Sequence, residues 1–326
     1  MINPQSSNEY STATIRRHAI VVLPAAASVP DLLAENGRWM SRGQLRHRET
    51  RTEALATVLD ELGYGIPHAG LAALRCWGQT GQRPDGWLCA ADPVYIEARL
   101  DHVLVHSLDG NVLADDERRQ LFEFLQRQAG DSQRQFRQIG GHGYLFGEPR
   151  FATAGRSAAL LNRAEPGDDL PDGADAREHD RLTGELQLLL HDAEFNRHRE
   201  EQGLPPVNSI WFWGGGAASQ CDQALPPLFG SDALFRGYWQ SVGAKHTPLP
   251  EQPDILPRGF VLILAGSECA ESTTDRFLRA LKRQLALGWI QHLTFVFADG
   301  WVLRLGRSQL YAFWRGRSWP NWPAST

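Results

Sequence analysis

Hydrophobic positions recur along this chain with two periods, one typical of strands and one typical of helices. Short continuous apolar runs at residues 19–23 and 260–265 predict strands that are buried on both faces. Apolar residues spaced three and four apart predict amphipathic helices at 52–62, 114–129 and 271–287. The order of these elements predicts a mixed α/β fold, in which a mostly parallel central sheet is flanked by helices.

The last part of this pattern predicts an antiparallel hairpin. Apolar segments at 293–297 and 301–305 are separated by a short turn that contains Asp299 and Gly300. An Asp-Gly pair readily supplies the two positive-φ positions of a tight two-residue turn. We therefore expect the parallel sheet to be extended by a C-terminal hairpin.

The densest signal is the stretch from residue 182 to residue 216. Leu182, Leu186, Leu189, Leu190 and Ala193 form one apolar stripe, which predicts a long amphipathic helix. A glycine at 203 and two prolines at 205–206 end that helix. Residues 207–213 follow as a predicted inner strand, and three glycines come directly after it.

Glycines at the carboxyl end of an inner strand predict a ligand site, because open α/β sheets bind ligands at that edge. Backbone N–H groups there could cradle an anion, or the glycines could only let the chain turn under bulky tryptophans. Polar residues on the preceding helix are not required by packing, and we expect them to point towards the same turn. The ligand-binding candidates are Glu185, Gln187, His191, Asn196, Arg199, Asn208, Trp211, Trp213, Gly214, Gly215 and Gly216.

Composition shifts suggest the domain organisation. Residues 1–14 are polar and are expected to be disordered. Residues 147–178 are rich in Gly, Pro and Asp, without periodicity, which is typical of an exposed loop or linker. We expect one α/β domain over 15–326, or two lobes at 15–146 and 179–326 joined by that loop.

The overall composition limits which cellular compartment and which classes of partner are expected. The 326 residues carry a formal charge of −5, which gives no electrostatic reason to expect nucleic acid or an acidic membrane surface as partner. Four widely spaced cysteines fit reduced thiols better than a disulfide framework. The sequence shows no signal peptide and no transmembrane run. We expect a cytoplasmic protein with an unidentified small-molecule or protein partner.

Common catalytic motifs are missing from the sequence, including a phosphate loop with its lysine and a nucleophile elbow. Ser267 follows a predicted strand as a nucleophile would, but a plain turn serine explains it better. His191, Glu194 and His198 would share one face of a continuous helix, so a divalent metal site is an alternative to an exposed polar face. No metal ligand and no cofactor is assigned. Four acidic residues of the 147–178 segment lack calcium-loop spacing: Asp168, Asp169, Asp172 and Asp175.

Several motifs together cover most of the chain in one order. They are Glu185-Leu186-Gln187 with His191, Asn196 and Arg199; PVNSIWFWGGG at 206–216; Gly86-Trp87-Leu88-Cys89-Ala90; Asp92-Pro93-Val94; and Phe313-Trp314-Arg315. This set resembles the signature of the RpfE-type regulatory proteins of proteobacteria, which are often labelled phosphoglycerate mutase. The W-x-W-G-x-G segment is similar to one in the cofactor-independent, archaeal-type phosphoglycerate mutases. The resemblance implies an α/β fold like that of the alkaline-phosphatase superfamily.

The chain departs from that superfamily at the metal ligands. The first strand should end in a metal-binding Asp, but here it ends in Pro24, with no Asp before Asp31. A later strand should end in Asp-His, but here it ends in Asp299-Gly300, and the pair Asp101-His102 precedes a strand. A two-metal site needs several converging carboxylates and imidazoles. We therefore expect a degenerate relative that binds a ligand or regulates, with a metal-dependent mutase or phosphatase and a structural interaction protein as alternatives.

Overall fold

The computed structural model describes residues 17–48, 53–65, 67, 69–108, 112–147, 150–173, 176–266 and 269–311. The chain divides into two compact units, each discontinuous in sequence. Unit 1 comprises residues 1–66, 222–232 and 242–326, and unit 2 comprises residues 67–221 and 233–241. These boundaries differ from lobes at 15–146 and 179–326, because the chain enters unit 2 and later returns to unit 1. The predicted disordered segment 1–14 lies outside the described residues.

Strands and helices are numbered here in chain order. The strands are β1 His18–Leu23, β2 Gln44–His47, β3 Leu88–Ala98, β4 Val103–Ser107, β5 Arg134–Ile139, β6 His142–Gly147, β7 Ser209–Gly216, β8 Leu228–Phe229, β9 His246–Thr247, β10 Phe260–Ile263, β11 His292–Phe297 and β12 Trp301–Gly306. The helices are α1 Pro30–Met40, α2 Ala54–Glu61, α3 Leu71–Thr80, α4 Asp115–Ala129, α5 Ala176–His191, α6 Glu194–Glu201, α7 Ala233–Ser241, α8 Glu271–Leu287 and α9 Arg307–Leu310.

Unit 1 contains a seven-stranded sheet in the order β2-β12-β11-β1-β10-β8-β9. The pairs β1–β10, β1–β11, β8–β10 and β8–β9 are parallel, whereas β12 pairs antiparallel with β11 and with β2. The predicted mixed, mostly parallel sheet with flanking helices is confirmed. The predicted C-terminal hairpin is confirmed as β11–β12, with Gly300 at φ 89° in its turn.

The core of unit 1 forms on one face of this sheet. Alternate residues of β1 and β11, such as Val21 and Phe295, are fully buried against α8 and α1. On α8 the buried stripe of Phe277, Leu281 and Leu285 follows the predicted helical spacing. The opposite face of the sheet is reached by α2, which contacts β11.

Unit 2 contains a second sheet, in which β3 pairs antiparallel with β4, β6 and β7, and β6 pairs with β5. One face packs on α4 and α5 through an apolar cluster that includes Phe122, Leu186 and Phe212. The other face packs on α3, which in turn packs closely on α7. Because a strand buried on both faces reads as a continuous apolar run in either kind of sheet, the sequence could not place β7 in the antiparallel one.

The predicted continuous helix after residue 182 is wrong, because two helices, α5 and α6, replace it. Ala193 adopts an extended conformation (φ −67°, ψ 132°) between them. The Asn196 side chain donates to the Leu190 carbonyl at 2.8 Å, which is the acceptor that a continuous helix would give to the Glu194 N–H. The helix is therefore interrupted where an asparagine amide binds its backbone.

The segment 147–178 is also packed in a way that its composition does not predict. Ala154, Ala158 and Leu161 are at most 1% exposed. Ala154 forms a parallel bridge with Trp213, and Ala164 bridges to Val105 of β4. In the described part of the chain, no helix is both long and apolar enough to cross a membrane.

Candidate functional site

The two most buried polar candidates of the sequence analysis, Asn196 and Arg199, hold the backbone of unit 2. The Asn196 amide donates to Leu190 and Val207 and accepts from the Val207 N–H at 2.8 Å. The Arg199 side chain is 1% exposed; it donates to the Pro205 carbonyl and forms an ion pair with Glu117. These groups have their partners inside the fold, so they tie α6 to the chain entering β7 and present nothing to a ligand.

The remaining polar candidates are spread over unit 2. Asn208 exchanges two hydrogen bonds with the backbone of Ile96, at 2.7 and 2.9 Å. Gln187 donates to the Ser209 hydroxyl at 3.3 Å. Glu185 pairs with Arg181 on the surface of α5, and His191 is exposed at the end of that helix. The structure therefore does not bring the predicted candidates together in one site.

Trp211 and Trp213 are interior residues of β7. The Trp211 indole donates to the Arg156 carbonyl at 2.9 Å, and the Trp213 indole donates to the Asp92 carboxylate at 2.5 Å. Both side chains are at most 4% exposed. They are core residues with satisfied N–H groups, as buried tryptophans usually are.

Two of the three glycines of β7, Gly214 and Gly216, lie against the start of α3, whereas Gly215 lies against Thr153 and Trp87. Gly214 has φ +63°, and a Cβ there would lie 2.9 Å from the Ala72 nitrogen. A Cβ on Gly216 would lie 2.6 Å from the Gly70 nitrogen. The Gly214 N–H donates to the Ala154 carbonyl and the Gly215 N–H to the Thr153 hydroxyl. Close helix–strand packing explains Gly214 and Gly216, and the N–H groups of Gly214 and Gly215 are not open donors for an anion.

A buried polar network connects α3 to the sheet of unit 2. Arg75 forms an ion pair with Asp92 at 3.1 Å and donates to the Tyr144 hydroxyl at 3.0 Å. Its guanidinium also lies over the Tyr144 and Trp213 rings, 4.9 and 5.0 Å from their centroids. Burial raises the pKa of Tyr144. Because all four residues are at most 6% exposed, the network stabilises the interior and is closed to substrates.

The alternative metal set, His191, Glu194 and His198, loses its geometric basis with the helix break. His191 ends α5, whereas the other two lie on α6. His198 instead approaches Gln202 at 2.8 Å. Among the residues that the structure describes, no group of three or more His, Cys, Asp or Glu side chains is placed to hold a metal ion. In the acidic segment, Asp169 forms an ion pair with Arg156, and Asp175 lies outside the described residues. Ser267, the possible nucleophile, also lies outside the described residues.

The carboxyl edge of the parallel sheet is where superfamily chemistry was expected. Asp299 follows β11 there and accepts a hydrogen bond from the Ala26 N–H at 2.9 Å. It thereby fixes the short helical turn Ala26–Ser28 that follows β1. Pro24 follows β1 at the same edge and has no ligand atom in its side chain.

A pocket of unit 1 that contains several polar side chains lies at the opposite, amino-terminal edge of the sheet. Its volume is about 470 Å³. His18 and His292 begin the paired parallel strands β1 and β11, and Arg304 lies beside Thr294 on β12. We call this the amino-edge pocket, and its lining residues are His18, Gln44, Glu61, His292, Leu293, Thr294, Arg304, Leu305, Gly306, Ser308 and Gln309.

Strand alternation explains the polar side chains in this pocket. His292 and Thr294 are two residues apart, so they share one face of β11, while Leu293 between them joins the core on the other face. The His18 Nε2 and Thr294 Oγ1 atoms are 2.9 Å apart, and the rings of His18 and His292 meet edge to face with centroids 6.3 Å apart. At the amino-terminal end of these strands, Leu293 thus faces the core, while the hydrogen-bonding groups of His18, His292 and Thr294 face the pocket.

Two charged side chains of the amino-edge pocket, Arg304 and Glu61, form an ion pair. The Arg304 guanidinium donates to both carboxylate oxygens of Glu61, at 2.8 and 2.6 Å. The Glu61 side chain is 6% exposed and that of Arg304 is 43% exposed. Burial, followed by the charges of His292 and Arg304, lowers the pKa of His18 to about 4. A cleft that contains polar groups and a histidine with a strongly lowered pKa is a functional-site candidate on physical grounds.

Sequence reasoning missed this pocket because its members are far apart in the chain. His18, Glu61 and Arg304 belong to three segments that meet only through β1, α2 and β12. A weak signal was present, since a histidine directly before a buried strand and polar residues alternating in a late hairpin are visible in the sequence. Neither signal specifies the neighbours that make a site.

Comparison with known proteins gives no family model and no curated protein that matches this chain. Among solved structures, the protein PH0037 of Pyrococcus horikoshii is similar, with 11% identity over 89% of this chain and 87% of that one, at a TM-score of 0.46. A cofactor-independent phosphoglycerate mutase of Thermoplasma acidophilum is similar over 89% of this chain and 90% of that one, with 13% identity and a TM-score of 0.39. No residue role is transferred from either.

Proposed function

We propose that this chain is a cytoplasmic regulatory protein of the RpfE type, which binds a small polar molecule in the amino-edge pocket and does not carry out mutase chemistry. The observation that carries the proposal is the convergence of His18, Thr294 and the Glu61–Arg304 ion pair on one pocket of about 470 Å³. Pockets of a few hundred cubic ångströms with a few convergent polar groups are typical ligand sites.

The chemistry of the pocket supports binding. His18 is uncharged near neutral pH because its pKa is about 4, and Glu61 is fully engaged by Arg304. A strong general base is therefore not offered by either group at neutral pH. Hydroxyl, amide and guanidinium groups remain as hydrogen-bonding partners for a bound molecule.

A ligand screen with a blocked pocket tests this proposal. Ser308 is exposed on the pocket lining, so Ser308→Trp should fill the opening, whereas Ser272→Trp places the same side chain on the exposed surface of α8. Ligand-observed NMR of a polar fragment library should give binders that Ser308→Trp loses and Ser272→Trp keeps. If every binder persists in Ser308→Trp, the amino-edge pocket is not the ligand site.

A further inference from the structure

Glu61 binds only one edge of the Arg304 guanidinium, so the other N–H donors of Arg304 remain available in the amino-edge pocket. A guanidinium has five N–H donors. The carboxylate of Glu61 accepts from Nε and one Nη2 hydrogen, which are two of the five. The remaining three donors belong to a side chain that is 43% exposed, while its carboxylate partner is almost completely buried. Glu61 therefore fixes the orientation of a group that can still bind a second oxyanion.

The imidazoles of the pocket add to this donor set. His18 approaches Thr294 through Nε2 and faces the ring of His292. The titratable and charged groups around His18 are His292 on β11, Arg304 on β12 and Glu61 at the end of α2. Asp60, on the same helix as Glu61, pairs with Arg48. Since Glu61 is matched by Arg304, a proton on His18 has no carboxylate of its own. An incoming anion would supply that missing charge.

We propose that the amino-edge pocket recognises a small oxyanion, a carboxylate or phosphate-type group, held by Arg304 and by a His18 side chain that takes up a proton as the anion binds. This inference rests on the proposed function and names the chemical class of its ligand. Anion and proton bind together because each removes the electrostatic cost of the other. The pKa of His18, about 4, is lowered first by burial and then by the neighbouring charges of His292 and Arg304, and a bound anion would offset both effects.

Sulfate is a suitable probe, because it remains a dianion from about pH 5 to about pH 8, the range in which histidines titrate. Sulfate affinity for the full chain is measured by calorimetry at constant ionic strength set with sodium chloride. We expect binding to strengthen as the pH falls, by up to about tenfold per pH unit where one proton is taken up. Imidazole nitrogen NMR shifts should show His18 becoming protonated on addition of sulfate.

Two arginines three residues apart provide a matched pair of variants. Arg304→Gln removes a pocket donor, whereas Arg307→Gln removes the same charge from an exposed residue that does not line the pocket. We expect Arg304→Gln to weaken sulfate binding by about tenfold or more, the scale of one lost charge-assisted contact. Arg307→Gln should change it less than about threefold, as a screened surface charge does. Equal effects of the two variants would contradict the proposal.

Glu61→Gln gives a second, opposite test. The amide keeps one acceptor for Arg304 but removes the competing negative charge, so we expect sulfate to bind more tightly than in the unchanged protein. His18→Gln should abolish most of the pH dependence. Weaker binding in Glu61→Gln, or an unchanged pH dependence in His18→Gln, would overturn the oxyanion proposal.

The two proposals fail in distinguishable ways. Suppose that uncharged fragments bind in the pocket, no longer bind in Ser308→Trp and do not compete with sulfate. The ligand-binding function would then stand, and the oxyanion proposal would be wrong. If fragments and sulfate both bind Ser308→Trp as tightly as they bind the unchanged protein, both proposals are wrong.

Discussion

The guanidinium of Arg75 lies 3.1 Å from the carboxylate of Asp92 in the interior of unit 2, where both side chains are at most 7% exposed. Trp213, which belongs to the tryptophan- and glycine-rich motif at 206–216, donates its indole N–H to the same carboxylate. The most distinctive segment of the sequence is therefore organised around a buried ion pair. The segment therefore has a structural role, because the ion pair fixes β3, β7 and α3 relative to one another.

Removing one member of this pair should strongly destabilise the protein. Arg75→Met leaves Asp92 buried without its cation, which typically costs about 3–5 kcal/mol. Arg119→Met removes a comparable charge from the exposed pair with Asp116 and should cost less than about 1 kcal/mol. Urea unfolding followed by tryptophan fluorescence measures both. Similar costs for the two variants would show that the buried pair does not stabilise the fold.

Alanine substitutions at Gly214 and Gly203 distinguish the cost of backbone strain from the cost of lost close packing. Both have positive φ, at +63° and +73°, but a Cβ on Gly203 meets nothing within 4 Å while one on Gly214 meets the Ala72 nitrogen at 2.9 Å. Gly203→Ala should cost about 1 kcal/mol for the left-handed conformation alone. We expect Gly214→Ala to cost about 1–3 kcal/mol more, because the backbone of α3 must move. Equal free energies of unfolding for the two variants would argue against close packing as the reason for Gly214.

Asn196 is expected to act on stability and not on binding. Its amide makes three hydrogen bonds to the backbone of Leu190 and Val207. Asn196→Ala leaves buried backbone groups without partners, at a cost of about 1–3 kcal/mol or more. His191→Ala changes an exposed residue and should stay within about 0.5 kcal/mol. Thermal unfolding distinguishes the two, and a stable Asn196→Ala protein would reopen a ligand role for this residue.

Stability should fall as the pH is lowered from about 6.5, the ordinary value for histidine, towards about 4. The pKa of His18 is lowered to about 4 in the folded protein, so in that window the unfolded chain binds the extra proton and the folded chain does not. Burial lowers the pKa of His142 to about 4 as well. Each histidine should contribute about 1–3 kcal/mol that is present above pH 6.5 and lost below it. Equilibrium unfolding at several pH values measures this slope.

His18→Gln and His142→Gln provide the control for that slope. Each substitution removes one titrating group, so each should flatten the dependence of the unfolding free energy on pH by its own share. Retention of the full slope in the double variant would assign the acid sensitivity to other groups.

Purified protein should bind divalent metal at well below one equivalent. The described residues bring no three metal-binding side chains together, and Asp299 is engaged by the Ala26 N–H. Elemental analysis after dialysis against manganese or zinc measures the ratio, and a phosphoglycerate mutase assay on the same sample measures the chemistry. Stoichiometric metal together with mutase turnover would replace the regulatory proposal with the enzymatic one.

Local patterns in the sequence were sufficient for several of the longest strands and helices. The apolar run of β1, the stripe of α8 and the Asp299-Gly300 turn each depend on neighbours a few residues away, so periodicity and turn chemistry predicted them. The mixed α/β class follows from their order. The helix break at Ala193 escaped prediction, because one asparagine amide outcompetes a backbone hydrogen bond without disturbing the apolar stripe.

Tertiary structure alone decided the sites. The sequence grouped Asn196, Trp213 and Gly214 as candidates for binding, but the fold gives their polar groups internal partners. It also brings His18 and Arg304 to one pocket from opposite ends of the chain. Hydrophobic periodicity reports which face of an element is buried, whereas a site depends on which distant side chains converge and which donors remain available. That convergence is set by strand order and register, which the local sequence does not encode.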